Sequence, residues 1–249
     1  MANLKNFIFN SDYSTDKIAF AKKEIYTITG PADPWRPQVV YINTHIKTQL
    51  YPEGDYKSEG SNARYPLAQN YGDIPLGCMA FMYNGECWIA ITIWVLSDSF
   101  IGKKFEYRLW AYYGENEAKN TDMSPTANIN QSRLVLDTDN NYPRFISDGE
   151  ITLGQSYTHS LGYKPYIKTW KKNADYEMPK PDGSAGTFTT DAYSTTTPTA
   201  FFGNVQTASP TLVMIWKSQV KKVTDTQIIT YTDGGSDDPT AIYYRIYAL

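Results

Sequence analysis

This chain repeats itself. Phe7-Ile8-Phe9-Asn10-Ser11-Asp12 returns as Leu134-Val135-Leu136-Asp137-Thr138-Asp139, an offset of 127 residues. Phe105-Glu106-Tyr107-Arg108-Leu109-Trp110-Ala111-Tyr112 returns as Ile242-Tyr243-Tyr244-Arg245-Ile246-Tyr247-Ala248-Leu249, an offset of 137. Between them, Arg36-Pro37 with Val39-Val40 resembles Lys164-Pro165 with Ile167, offset 128, and Trp88-Ile89-Ala90-Ile91-Thr92 resembles Gln227-Ile228-Ile229-Thr230-Tyr231, offset 139. An offset that holds and then steps up by about ten is what duplication followed by loop insertion leaves. The expected organisation is therefore two units: residues 1–114, a polar linker over 115–131, and residues 132–249.

Both units read as β-structure. Apolar stripes at helical spacing are missing, while β-branched and aromatic runs bounded by Gly, Pro, Asn and Asp recur throughout. Strands are expected near residues 6–10, 17–21, 24–29, 38–44, 79–83, 86–96 and 104–113, then near 133–137, 144–146, 150–153, 166–171, 211–223, 226–232 and 241–248. Seven or so short strands per unit predict two tandem antiparallel β-sandwiches, jelly-roll-like in character.

Asn84-Gly85 and Asp225-Thr226 mark hairpin turns of the same relative order in each half. Pairing about Asn84-Gly85 sets Tyr83 opposite Glu86, Met82 opposite Cys87 and Cys78 opposite Ile91. Cys78 and Cys87, the chain's two cysteines, then do not face each other, and two buried thiols are expected rather than a disulfide.

Two segments lack strand patterning, residues 48–73 and 175–210, and each falls between the fourth expected strand and the following hairpin. Loops of this length are usually functional. Both carry aromatics: Tyr51, Tyr56, Tyr65 and Tyr71 in the first, Tyr176, Phe188, Tyr193, Phe201 and Phe202 in the second. Aromatic side chains seek burial, so these loops are expected to pack against a partner. Trp35, between Pro34 and Arg36, is the expected exposed aromatic, on which a sugar could stack.

Chemistry finds little support. Two histidines, His45 and His159, serve the whole chain, and no Gly-x-Ser-x-Gly elbow occurs. Asp137-Thr138-Asp139-Asn140-Asn141 and Asp233-Gly234-Gly235-Ser236-Asp237-Asp238 lack the bidentate Glu of a calcium loop and suit turns instead. No cofactor or metal is expected. A net charge of −3 offers no basic footprint for nucleic acid. The longest apolar run, residues 88–96, is less than half the length of a membrane-spanning helix. The first seven residues lack the apolar core of a secretory signal, so the protein is expected to be made and assembled in the cytoplasm.

His159-Ser160-Leu161-Gly162-Tyr163-Lys164-Pro165-Tyr166-Ile167 resembles a motif of bacteriophage virion and tail-associated structural proteins, in which a His, a Leu-Gly-Tyr turn and a Pro lead into an apolar strand. Gly162 suits a left-handed turn, Pro165 fixes φ at the start of the strand, and Tyr163 can cover the corner. Asn6-Phe7-Ile8-Phe9-Asn10-Ser11-Asp12-Tyr13, followed by Asp16-Lys17-Ile18, is similar to the opening of small phage proteins of this kind. At the matching place, the first half carries Asp33-Pro34-Trp35-Arg36-Pro37 instead. The resemblance implies a virion component without catalytic residues, joined to copies of itself and to other virion proteins through edge strands and the aromatic loops. A second expectation is a glycan- or host-surface-binding module of a fibre or baseplate, carried by Trp35, Tyr51 and Tyr56.

Overall fold

The computed structural model describes residues 18–33, 37–69, 76–95, 97–114, 144–195, 220–230 and 240–248. Within them the chain is all-β, with one short 3-10 turn at Asp98–Phe100. The strands of the first half are β1 (Ile18–Thr27), β2 (Gln38–Ile46), β3 (Leu50–Ser58), β4 (Tyr65–Pro66), β5 (Ala68–Gln69), β6 (Leu76–Tyr83), β7 (Glu86–Ile93) and β8 (Lys104–Tyr113). Those of the second half are β9 (Arg144–Thr152), β10 (Ser156–Thr158), β11 (Tyr166–Pro179), β12 (Thr187–Thr195), β13 (Val220–Val223), β14 (Gln227–Thr230) and β15 (Ala241–Ala248).

Each half is a two-layer sandwich. In the first, the sheet β1-β8-β3-β4 faces β2-β7-β6, and in the second, β9-β15-β11-β12 faces β10-β14-β13. The strand order is thus the same in both: first, last, third and fourth strands in one layer, second and next-to-last beside the strand before it in the other. β8 and β15, matched in sequence, hold the same place, as do β7 and β14. The echo of residues 36–40 in 164–167 does not correspond in this way. It would pair β2 with β11, but β11 stands where β3 stands. A proline leading into an apolar strand is common to any β-protein, which explains that match. The segments 7–12 and 134–139 lie outside the described residues, as does the expected linker.

Period-2 alternation builds the cores. On β8, Phe105, Tyr107, Leu109 and Ala111 point inward, against Leu50 and Tyr56 of β3, Cys78 and Ala80 of β6, and Cys87, Ile89, Ile91 and Ile93 of β7. The second core joins Ile151, Ile167, Val220, Ile228, Ile242, Tyr244 and Ile246.

The halves share one sheet. β12 pairs antiparallel with β6 through Ala192↔Phe81, Tyr193↔Ala80 and Ser194↔Met79, so the strands run continuously as β2-β7-β6-β12-β11-β15-β9. The pairing register slips between Asn173 and Tyr176, where Asp175 takes φ +51°, and this bulge bends the β11–β12 hairpin. The bent arm lies on the outer face of β2-β7-β6. There Met178, Ala192, Tyr176 and Phe188 meet Met79, Phe81, Ala90, Tyr41, Tyr83 and Trp88. The Tyr41 hydroxyl donates to the Pro179 carbonyl at 2.9 Å, and the Tyr83 hydroxyl donates to Asp182 at 2.8 Å. With both faces covered, β6 and β7 read as unbroken apolar runs rather than alternating ones.

This arrangement corrects part of the reading of the two long segments as loops; residues 70–73 and 196–210 of those segments lie outside the described residues. Residues 50–58 are β3, and residues 175–179 and 187–195 complete β11 and form β12. β3 carries Pro52, Glu53, Gly54 and Asp55, poor strand formers held by pairing to β8 along their whole length. At Gly54 an added Cβ would sit 2.5 Å from the Arg108 carbonyl oxygen, so only glycine fits there.

The hairpin register about Asn84-Gly85 is as the turn chemistry requires: Tyr83↔Glu86, Met82↔Cys87 and Cys78↔Ile91, with φ +50° at Asn84 and +78° at Gly85. Neither cysteine is in a disulfide and both are buried, and burial pushes the Cys87 thiol up to about 12. Neither thiol should therefore react with a disulfide reagent such as DTNB in the folded protein, and both should react after unfolding in guanidinium. A thiol that titrates under native conditions would show that this core opens locally.

Candidate functional site

The joint between the halves is the densest concentration of aromatic and charged side chains among the described residues. It forms because β-strands have two faces. The inward faces fill the cores, which leaves outward rows on β3 and β8 of the first half and on β9, β11 and β15 of the second. Tyr51 and Tyr112 from the first half meet Trp170, Tyr193 and Tyr243 from the second, with Trp110 at the margin. Tyr51 stacks on Tyr243 with ring centres 3.7 Å apart and an interplanar angle of 9°. The Trp170 indole N–H donates to the Pro52 carbonyl at 2.8 Å, joining β11 to β3.

Arg245 lies at the centre, 3% exposed. Its guanidinium carbon is 5.6 Å from the Tyr112 ring centre, 5.8 Å from Trp170, 5.9 Å from Tyr243 and 6.0 Å from Tyr51. Four negative ring faces and the nearby Asp148 carboxylate, 3.9 Å from Nε, replace the water the cation loses. The Tyr243 hydroxyl donates to the same Asp148.

Two lysines flank this centre. Lys168 donates to Glu53 at 3.3 Å and to the Tyr112 hydroxyl at 3.0 Å, while Tyr112 and the Trp110 indole also donate to Glu53. Lys172 pairs with Glu150 at 3.1 Å and Asp191 at 3.3 Å. Burial works against its charge and is the largest single influence, but the bond to Glu150 and the charges of Tyr193, Glu150 and Asp191 together outweigh it and hold the lysine above its ordinary value. Tyr193 donates to Glu150 at 2.7 Å; burial first, and that bond second, keep its hydroxyl protonated well above the usual tyrosine range.

On the open outer face of β1, β8 and β3 the charges form a ladder: Lys23–Glu106–Arg64–Asp55–Arg108. Hydrogen bonding from Lys23 holds the Glu106 carboxyl below its ordinary value. Burial raises Asp55, yet the hydrogen bonds from Arg108 and Arg64 together outweigh it and leave it lowered. A carboxyl depressed in the folded state stabilises above its unfolded pKa, and that contribution is lost as pH falls through the folded value. The melting temperature should therefore hold at neutral pH and drop with acidification below about pH 4.5. The gap between wild type and Asp55→Asn should narrow over the same range, and parallel curves for the two proteins would show that the ladder does not contribute.

The residues expected to meet a partner are placed as follows. Trp35, Tyr71, Phe201 and Phe202 lie outside the described residues. Tyr51 and Tyr193 are buried in the joint, Tyr56 is buried in the first core, and Tyr65 packs against Tyr56 at 5.8 Å. Tyr176 and Phe188 lie on the arm, with the Phe188 ring 4.7 Å from Tyr83. Tyr51, Tyr176, Phe188 and Tyr193 pack against the other half of the same chain, whereas Tyr56 and Tyr65 pack within the first half. Tyr51 and Tyr56 therefore present no open ring face to a sugar.

At the turn, Gly162 takes φ +71°, Pro165 is buried, and Tyr163 is exposed at 40% rather than covering the corner. His159 is buried beside this turn, and its backbone N–H donates to the Thr226 carbonyl at 2.8 Å. The residues that sequence reasoning missed are Glu53, Asp148, Glu150, Lys168, Trp170, Lys172 and Arg245. A partial signal was available: Glu53, Lys168, Lys172 and Arg245 alternate along their strands with Tyr51, Trp170 and Tyr243 on the same outward faces.

Among the described residues, no three His, Cys, Asp or Glu side chains converge as metal ligands, and no helix is long and apolar enough to cross a membrane. No known protein family, curated protein or solved structure matches this chain.

Proposed function

We propose that this protein is a non-enzymatic structural component of a bacteriophage or phage-like particle, located in the virion and joined to copies of itself and to other virion proteins through its edge strands. The observation that carries the reading is the shared sheet. Its strand path ends in β2 and β9, and no further strand pairs with either outer edge among the described residues. An unpaired edge presents a row of N–H and C=O groups ready for strand addition from another chain. The resemblance around His159 to Ile167 supports the same reading.

Of the aromatics first expected to serve assembly, Tyr51, Tyr176, Phe188 and Tyr193 pack between the two halves of the chain and couple the sandwiches into one body. A single body with open edges suits a building block. Antibody-label electron microscopy on particles from the source strain tests this. Label at a fixed place on the particle is expected, and particles that carry the protein nowhere would overturn the proposal.

A further inference from the structure

We propose that a groove on the outer face of β1 and β8 binds acidic polysaccharide, with a sugar ring stacked on Trp110 and its carboxylate held by Lys23 and Arg108. The inference does not depend on the assembly reading and assigns the chain a separate binding activity. The groove, about 470 Å³, is lined by Ile18, Ala21, Lys22, Lys23, Arg108, Leu109 and Trp110.

Its shape follows from the register. Ala21 stands opposite Trp110, and Lys23 stands opposite Arg108 on the same outward face. The small Ala21 side chain leaves the space beside the indole open. The pairing register shifts between Ile18 and Phe20, at the end of β1 that borders the groove. On its far side the indole is fixed, because its N–H donates to Glu53 at 3.0 Å. A rigid aromatic platform with charged groups around it can be bound without ordering new side chains.

The charges select the ligand. The charged residues lining the groove are Lys22, Lys23 and Arg108, each already paired with a carboxylate, Glu24, Glu106 and Asp55 respectively, so a ligand carboxylate takes only the donors these pairs leave over. Lys23, 63% exposed, uses one carboxylate partner, Glu106, and an ammonium has three donors to offer. Arg108 is held by Asp55 from the opposite side of β8. An apolar ring face beside cations matches a uronic acid unit, whose C–H face stacks on an indole while its carboxylate accepts hydrogen bonds.

Affinity electrophoresis of the full chain in gels containing polygalacturonate, alginate or hyaluronan tests this, with dextran and polyglutamate as controls. Retardation is expected with at least one of the three uronic acid polymers, and none with dextran or polyglutamate. Ala21→Glu fills the groove with negative charge, and Lys23→Glu reverses a cation at its rim. Both lie on the exposed side of β1, and each should lower the apparent affinity about tenfold or more; Ala21→Glu leaves the Lys23–Glu106 pair intact and should keep the melting temperature near that of wild type, so it is the variant that separates binding from stability. Failure of all three polymers to retard the protein overturns the proposal. Equal retardation by polyglutamate would show a plain charge effect or an acidic-peptide site, and undiminished binding by both variants would place binding elsewhere; either result overturns it too.

Discussion

Replacing Trp170 by alanine should cost about 3–5 kcal/mol and uncouple the two halves. Trp170 is fully buried, touches Tyr51, Tyr112 and Tyr243, and holds the Pro52 carbonyl through its indole N–H. The substitution empties the middle of the joint, leaves that carbonyl without its donor and takes one ring from the box around Arg245. Sheet hydrogen bonding between the halves rests on the three residue pairs of β12 with β6, so side-chain packing must supply most of the coupling. Guanidinium unfolding of the variant, followed by near-ultraviolet circular dichroism, should show the single transition of the wild type split into two. A variant that unfolds in one transition, within about 1 kcal/mol of wild type, would mean that the joint does not couple the halves.

Arg245→Ala should be comparably damaging, at about 3–5 kcal/mol, because it leaves Asp148 buried without its cation. Arg245→Met separates charge from volume. Methionine fills the space between the rings and makes favourable sulfur–aromatic contacts, but Asp148 is still left unpaired. Combining Arg245→Met with Asp148→Asn removes both charges and should recover most of the loss, to within about 1.5 kcal/mol of wild type. The Tyr243 hydroxyl can still donate to the amide oxygen in this double variant. Denaturant midpoints for the three proteins would check this, and a double variant as weak as Arg245→Ala would show that the joint depends on the ion pair itself.

Much of the fold was legible because it is local. The strand expected over residues 104–113 is β8 at those bounds, and the register of the β6–β7 hairpin follows from Asn84-Gly85 alone. A two-residue turn fixes which residues face each other, and the alternation of Phe105, Tyr107 and Leu109 with Glu106 and Arg108 fixes which side is core. β3 escaped notice because Pro52, Gly54 and Asp55 disfavour a strand, and only β8 beside it holds them extended. β12 was missed differently: Thr187 to Thr195 falls in a segment taken to lack strand patterning, although Thr, Phe and Tyr favour strands.

The candidate site was much less legible. The sequence marked the right aromatics at Tyr51, Tyr176, Phe188 and Tyr193 and the right physical need, burial against a neighbour. It did not reveal that the neighbour was in the same chain, since that depends on a bulge at Asp175 bending one hairpin across the other half.

Arg108 and Arg245 show where the division lies. They occupy matching positions on β8 and β15, each followed by an apolar residue and an aromatic, and in both halves the residue points outward from its strand. Alternation along the strand, a property of neighbouring residues, determined that much. Arg108 is nevertheless 46% exposed and pairs with Asp55, whereas Arg245 is 3% exposed in a box of four rings. Two of the rings that cover Arg245, Tyr51 and Tyr112, come from more than a hundred positions away, so only the tertiary structure could decide which arginine stays in water and which is buried in the joint.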